Sequence, residues 1–222
     1  MVIQDRYTMT REDAVFVAKK YIKESIYRSA HLEGMAVTFP QTEAILENAV
    51  VNDVPTKDIS KVFCLRDAWR YILENLDQPV DLKYLKDLHQ IIAKEDIPWE
   101  RLGELRTETV RISGTSYLPK VPNAEKIHHD LSDILNSENP DTDKAFTAML
   151  YIMRSQPFLD GNKRVGTLVC NKLLIEKGRG IFSLPPEFKE DFGKLLVEYY
   201  ETNNSDKIKQ FIYDNCLTGL NN

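Results

Sequence analysis

The chain has 222 residues, of which 42% are hydrophobic and 28% are charged. This usage is ordinary for a folded globular protein and excludes disordered and fibrous architectures. The formal net charge of -5 offers no basic footprint for nucleic acid, and no apolar run approaches the ~20 residues that span a bilayer. Three cysteines without a CxxC pair argue against a disulfide framework and a zinc site. Since the N-terminus also lacks a signal-peptide pattern, we expect a cytoplasmic protein that binds neither membrane nor nucleic acid.

Hydrophobic spacing typical of helices runs through most of the chain. Thr10 and Asp13 form an N-cap pair for the first helix, and Asp81 caps a helix that ends before Pro98. The helices predicted in chain order cover residues 14–22, 42–51, 59–72, 82–92, a segment from 123, a segment from 141, 162–177, 187–200 and 205–217.

Residues 109–122 have a different pattern. Two short runs rich in Thr, Val, Ile and Tyr flank Ser113 and Gly114, which predicts two strands around a turn. This is the only hairpin that the sequence predicts, so the fold class is mainly α with a small β-hairpin.

The segment between the helices that start near 141 and 162 has the composition of an anion site. Gly161 permits a positive φ and close approach to a ligand. The helix that follows presents free N–H groups, and Lys163 and Arg164 add cations where the helix dipole disfavours them. A phosphate would offset that cost, and Asp160 could hold the divalent cation that accompanies it. The alternative is an ordinary Asp-Gly-Asn turn before a solvated basic first turn.

At these residues the sequence resembles the Fic/Doc family, whose motif is His-x-Phe-x-Asp/Glu-Gly-Asn-Gly-Arg-x-x-Arg. Phe158, Asp160, Gly161, Asn162 and Arg164 match it. The resemblance implies a Fic-like helical bundle, in which the hairpin is the substrate-docking flap. We expect a single domain over residues 1–222, with N-terminal helices at about 1–55, a Fic core at about 56–180 and C-terminal helices at about 181–222.

The resemblance also implies roles for the motif residues. Asp160 would hold Mg²⁺, while Gly161, Asn162 and Lys163 would cradle phosphates and Arg164 would clamp them. Gln156 stands at the family's catalytic histidine, so the catalytic positions are Gln156, Asp160, Asn162 and Arg164. ATP is the implied substrate and a protein hydroxyl the implied target. An antitoxin or a second copy of the chain is a further candidate partner.

Three departures from the motif leave the activity open. Gln156 cannot accept a proton at neutral pH, Lys163 replaces the second glycine as in Doc-type proteins, and Thr167 replaces the last arginine. Three functions remain: AMP transfer to a protein side chain, phosphoryl transfer of Doc type, and non-catalytic binding of a nucleotide or partner.

Two features outside this loop also resemble functional groups. Glu47-Asn48 resembles the family's inhibitory segment, Ser/Thr-x-x-x-Glu-Gly/Asn, but Glu43 occupies the Ser/Thr place. The family's inhibitory glutamate pairs with the last motif arginine, which is Thr167 here, so an ordinary helix end is favoured. The four histidines lie outside the motif, and we expect surface or satisfied core roles for them: they are His31, His89, His128 and His129.

Overall fold

The computed structural model describes residues 1–220. Within this range the fold is mainly α, as predicted. The helices are α1 (Arg11–Leu32), α2 (Phe39–Leu46), α3 (Thr56–Glu74), α4 (Leu82–Ile92), α5 (Ala124–Leu135), α6 (Asp141–Ser155), α7 (Asn162–Glu176), α8 (Lys189–Thr202) and α9 (Asp206–Asn215). None of the described helices is long and apolar enough to cross a membrane.

Side-chain caps fix several helix starts that the sequence predicts. The Thr10 side chain accepts a hydrogen bond from the Asp13 N–H, and Asp81 accepts one from the Tyr84 N–H. Asn123 caps α5 in the same way. Each cap satisfies a backbone donor that has no partner within its own helix.

The second helix lies earlier in the chain than residues 42–51, so that prediction was wrong in its bounds. Thr38 and Gln41 form a capping box, and Pro40 is tolerated in the first turn. The helix then ends at Leu46, just before Asn48, which has a φ of 60°.

Helices α6 and α7 pack against each other at the centre of the molecule, and almost every residue of α7 is buried. Helices α1, α3 and α4 pack around α7. The loop between α6 and α7 is therefore held at both ends by the best-packed part of the core.

The predicted hairpin is not formed. Residues 109–122, which we call the flap segment, contain no strand, although Gly114 turns with a φ of 83°. The Thr115 hydroxyl and the Ser116 N–H donate to Glu201, at 3.0 and 3.3 Å, instead of forming a ladder with the opposite arm. Among residues 1–220 the strands are Ile181–Phe182 (β1) and Leu217–Thr218 (β2), which pair antiparallel.

Candidate phosphate and nucleotide site

Gln156 ends α6 in a left-handed conformation, with a φ of 48° and a ψ of 61°. Its side chain is fixed at both ends: Nε2 donates to the Met153 carbonyl at 2.6 Å, and Oε1 accepts from Asn162 Nδ2 at 2.9 Å. A non-glycine residue with positive φ costs about 1 kcal/mol and is typical of functional turns. The side-chain oxygen of Gln156 is thus already engaged by Asn162.

Asn162 closes the loop from the other side. It exchanges two hydrogen bonds with the backbone of Phe158, each 2.9 Å long. The Phe158 ring is fully buried and lies parallel to His89, with centroids 4.0 Å apart. Asn162 therefore shapes the loop, and its amide is not available to a ligand in this arrangement.

His89 fixes the backbone carbonyl of Asp160, the residue before Gly161. Its Nδ1 accepts from the Gly103 N–H at 2.9 Å, so Nε2 carries the proton and donates to the Asp160 carbonyl at 3.1 Å. Burial lowers the pKa of His89 to about 4. The prediction of a satisfied core role is confirmed for this histidine, although that core contact is part of the loop.

Arg106 ties the loop to the flap segment. It is 1% exposed, and Nε donates to the Gln156 carbonyl at 2.6 Å. The guanidinium also donates at 2.6 Å each to the carbonyls of Glu108 and Lys120, near the two ends of the flap segment. Sequence reasoning missed this residue, since an arginine that binds only carbonyls has no partner visible in the sequence.

Gly161 is the N-cap residue just before α7 and has a φ of 77°. No side chain caps that helix. The first N–H groups of α7 thus keep the anion-binding capacity that the sequence predicted. Asp160 accepts from the Gly161 N–H at 2.5 Å, and its side chain is 56% exposed. The carboxylate of Asp160 is therefore more than half exposed beside the helix start.

Arg164 is far more buried than a solvated first-turn residue, with 4% of its side chain exposed. Nη1 donates to the Ile92 carbonyl at 3.0 Å and to Asp96 at 2.6 Å. Burial opposes its charge, but Glu33 and Asp96 raise its pKa above the ordinary arginine value. Its Nε has no hydrogen-bond partner among the described residues, which leaves one donor unused in the buried site.

Glu33, at the C-terminal end of α1, is the functional candidate that sequence reasoning missed. Its Oε1 lies 3.3 Å from Lys163 Nζ and its Oε2 lies 3.5 Å from Arg164 Nε, with its side chain 15% exposed. The signal was present in the sequence: Ser29-x-x-x-Glu33-Gly34 matches the inhibitory pattern in full. Glu47 instead pairs with Lys23 on the exposed surface at 2.6 Å, as expected of an ordinary helix end.

Thr167 does not replace the phosphate-binding arginine of the motif, because its hydroxyl donates to the Arg164 carbonyl at 3.0 Å. Glu33 therefore pairs with Lys163 and Arg164 in place of an arginine at position 167. The hydrogen bonds of Glu33 are incomplete, since Oε1 has no hydrogen-bond partner among residues 1–220.

A cavity of about 490 Å³ opens above the start of α7. Its lining has two parts. We call the part from Glu33 and the motif residues the polar end, and the part from the flap segment and one face of α8 the apolar end. The lining residues are Glu33, Ile112, Ser113, Gln156, Asp160, Gly161, Asn162, Lys163, Gly193, Leu196, Val197 and Tyr200. An apolar wall with a few convergent polar groups is typical of a small-molecule site.

The side chains at this cavity could hold a metal ion only together with a bound ligand that supplies further oxygen donors. No cluster of three or more His, Cys, Asp or Glu that could hold a metal occurs within residues 1–220. Magnesium in phosphate sites is commonly held by one or two carboxylates plus the phosphates themselves, and accessible Asp160 fits that mode.

Comparisons with known proteins agree with this geometry. The family model described as Fic/DOC family matches residues 79–174. A protein adenylyltransferase Fic from Drosophila melanogaster is 27% identical over 197 residues, covering 85% of this chain and 39% of the relative. The chain thus spans about two fifths of the length of the curated relatives it matches.

Solved structures show the same fold. Fic-1 (residues 134–508) from C. elegans superposes with a TM-score of 0.72 at 21% identity, covering 89% of this chain and 61% of that one. A Fic domain containing signaling protein from Bacteroides thetaiotaomicron gives a TM-score of 0.75 at 19% identity, covering 93% and 85%. The mainly helical bundle predicted from the sequence is confirmed.

Proposed function

Because this chain carries a Fic/DOC family domain, we propose that it binds ATP in the cavity above α7 and transfers AMP slowly to a protein hydroxyl. One observation carries the proposal: the uncapped start of α7, Lys163 and accessible Asp160 meet at the polar end of a single cavity. Helix N–H groups, the helix dipole and a cation there favour a phosphate.

In the proposed reaction a protein hydroxyl oxygen attacks the α-phosphorus of ATP. The bond between the α-phosphorus and its bridging oxygen breaks, and pyrophosphate leaves. Gln156 cannot take the hydroxyl proton, so the proton passes to water or to a phosphate oxygen. The α7 N–H groups and Lys163 stabilise the charge on the phosphates, which is the contribution that this site retains.

Asp160 is the proposed magnesium ligand. One carboxylate oxygen accepts from the Gly161 N–H, and Asp160 lines the cavity. A magnesium ion bound there with the phosphates would neutralise part of their charge.

Glu33 is proposed to restrain the site. Its carboxylate lies where a phosphate would meet Lys163 and Arg164, and two negative groups cannot share these cations without repulsion. Displacement of Glu33 is therefore coupled to productive binding of the phosphates.

Phosphoryl transfer of Doc type is the second candidate, and Lys163 is the residue that favours it. A lysine at this place offers an additional contact to a phosphate. The two reactions differ in which phosphorus is attacked, so isotopic labelling separates them.

The test is incubation of a Glu33→Gln, Gln156→His double variant with ATP labelled at either the α- or the γ-phosphorus, in the presence of candidate protein targets. We expect protein-bound label from α-labelled ATP only. Label from γ-labelled ATP alone would establish phosphoryl transfer, and label from neither would favour the non-catalytic binding function.

A further inference from the structure

Gly193 lies inside α8 without a backbone reason to be glycine. It is the fifth residue of a helix that covers Lys189–Thr202, and its φ is not positive. Glycine is among the least favourable residues in a helix interior. A glycine at this place therefore calls for a reason outside the helix backbone.

Close packing does not supply that reason. A Cβ atom built on Gly193 meets no other heavy atom within 4 Å. By contrast, a Cβ on Gly166 of α7 would lie 3.0 Å from the Met149 carbonyl oxygen, so helix packing explains that glycine. The space beside Gly193 is open.

That open space belongs to the cavity above α7. Gly193, Leu196, Val197 and Tyr200 all line it, and their spacing places them on one face of α8. Ile112 of the flap segment lines the same cavity. This end is mostly apolar, whereas the phosphate-binding groups lie at the other end.

We infer that Gly193 determines which ligands the cavity accepts, by letting a planar aromatic base lie against the backbone of α8. The inference rests on the proposed function, which places the phosphates at Lys163. With the phosphates fixed there, the base lies at the apolar end, where Leu196, Tyr200 and Ile112 offer it apolar contacts. A side chain at position 193 would occupy the volume of the ring.

The test compares Gly193→Leu with Gly193→Ala by calorimetric titration of ATP and, separately, of inorganic tripolyphosphate, both with magnesium. We expect Gly193→Leu to weaken ATP binding at least tenfold and to change tripolyphosphate binding less than twofold. Gly193→Ala should weaken ATP binding less than Gly193→Leu does, because a single methyl group fills only part of the open space that the ring would occupy. Both variants should raise the melting temperature by about 2–4 °C, since they remove a helix-interior glycine. A raised melting temperature would show that a loss of ATP binding does not come from misfolding.

The outcomes separate this inference from the proposed function. ATP affinity within twofold of the unsubstituted protein in Gly193→Leu would overturn the role of Gly193. An equal loss for ATP and tripolyphosphate would overturn it as well, because the affected group would then be a phosphate. If the unsubstituted protein bound no ATP, the proposed function would fail and this inference with it.

Discussion

At the level of single residues, the proposed site has N–H groups and cations suited to a phosphate but has no proton acceptor at position 156. Gln156 is held by Met153 and Asn162, so its side chain is rigid and its oxygen is occupied. This arrangement stabilises the loop and leaves the hydroxyl of the proposed reaction without a base at position 156.

Gln156→His is expected to increase the transfer rate by roughly 10²–10⁴-fold, the usual contribution of a general base. The reason is that an imidazole at this place can accept the hydroxyl proton. The measurement is the initial rate of label transfer from α-labelled ATP in both proteins. Equal rates would show that the base lies elsewhere or that none is needed.

Glu33→Gln is expected to strengthen ATP binding by about tenfold, because the amide removes the negative charge that competes with a phosphate. Calorimetry measures the affinity. Glu47→Gln is the matched control, since Glu47 pairs only with exposed Lys23, and it should leave the affinity unchanged. If both substitutions had the same effect, Glu33 would have no specific role.

At the level of structural elements, the helices were largely predictable and the flap segment was not. Caps such as Thr10 and Asp81 are local, so the sequence alone indicates where α1 and α4 begin. Strand pairing depends on distant partners: β1 pairs with β2, which lies more than thirty residues away in the chain, and the flap segment bonds to Glu201. No local pattern indicates either contact.

The site shows the same division between local and distant contacts. The loop from Gln156 to Arg164 was recognisable because its residues are contiguous. Arg106 and His89 contact the loop through backbone carbonyls, and neither contact leaves a sequence signature. Glu33 did leave one, in the segment from Ser29 to Gly34. The segment at Glu47 is an ordinary helix end, as predicted.

Arg106→Met is expected to lower the free energy of unfolding by roughly 3 kcal/mol, because several part-buried carbonyls lose a buried charged donor. It should also speed hydrogen exchange of the flap segment. Urea unfolding and exchange measured by mass spectrometry give both quantities. Arg101→Met is the control, because Arg101 pairs with one partly exposed side chain, Glu108, just before the flap segment, and its loss should cost less; an equal loss in both variants would contradict the role of Arg106.

At the level of the whole molecule, His89 couples stability to pH. Its pKa is about 4 in the folded protein against about 6.5 in an unfolded chain, so the unfolded state binds the proton more readily. The contribution of neutral His89 to the free energy of unfolding is fully present above about pH 6.5. It falls by on the order of 3 kcal/mol as the pH decreases toward 4.

We expect urea unfolding to show this loss between pH 7 and pH 4.5, and His89→Gln to flatten the pH dependence in that window. His129→Gln is the control, since His129 is an exposed residue beside Asp133, and it should keep the slope of the unsubstituted protein. A slope unchanged by His89→Gln would assign the pH dependence to other groups.

The division into N-terminal helices, Fic core and C-terminal helices stays a prediction.

The central claim is that the cavity above α7 binds the phosphates of ATP, and the most direct measurement is the calorimetric ATP affinity of Lys163→Met against Lys83→Met. Lys163 is 39% exposed at the polar end of the cavity, whereas Lys83 is 77% exposed on α4 and pairs with Asp87. Loss of a partly exposed charged contact to phosphate should weaken binding about tenfold, and Lys83→Met should leave it unchanged. Equal ATP affinities in the two variants would contradict the account.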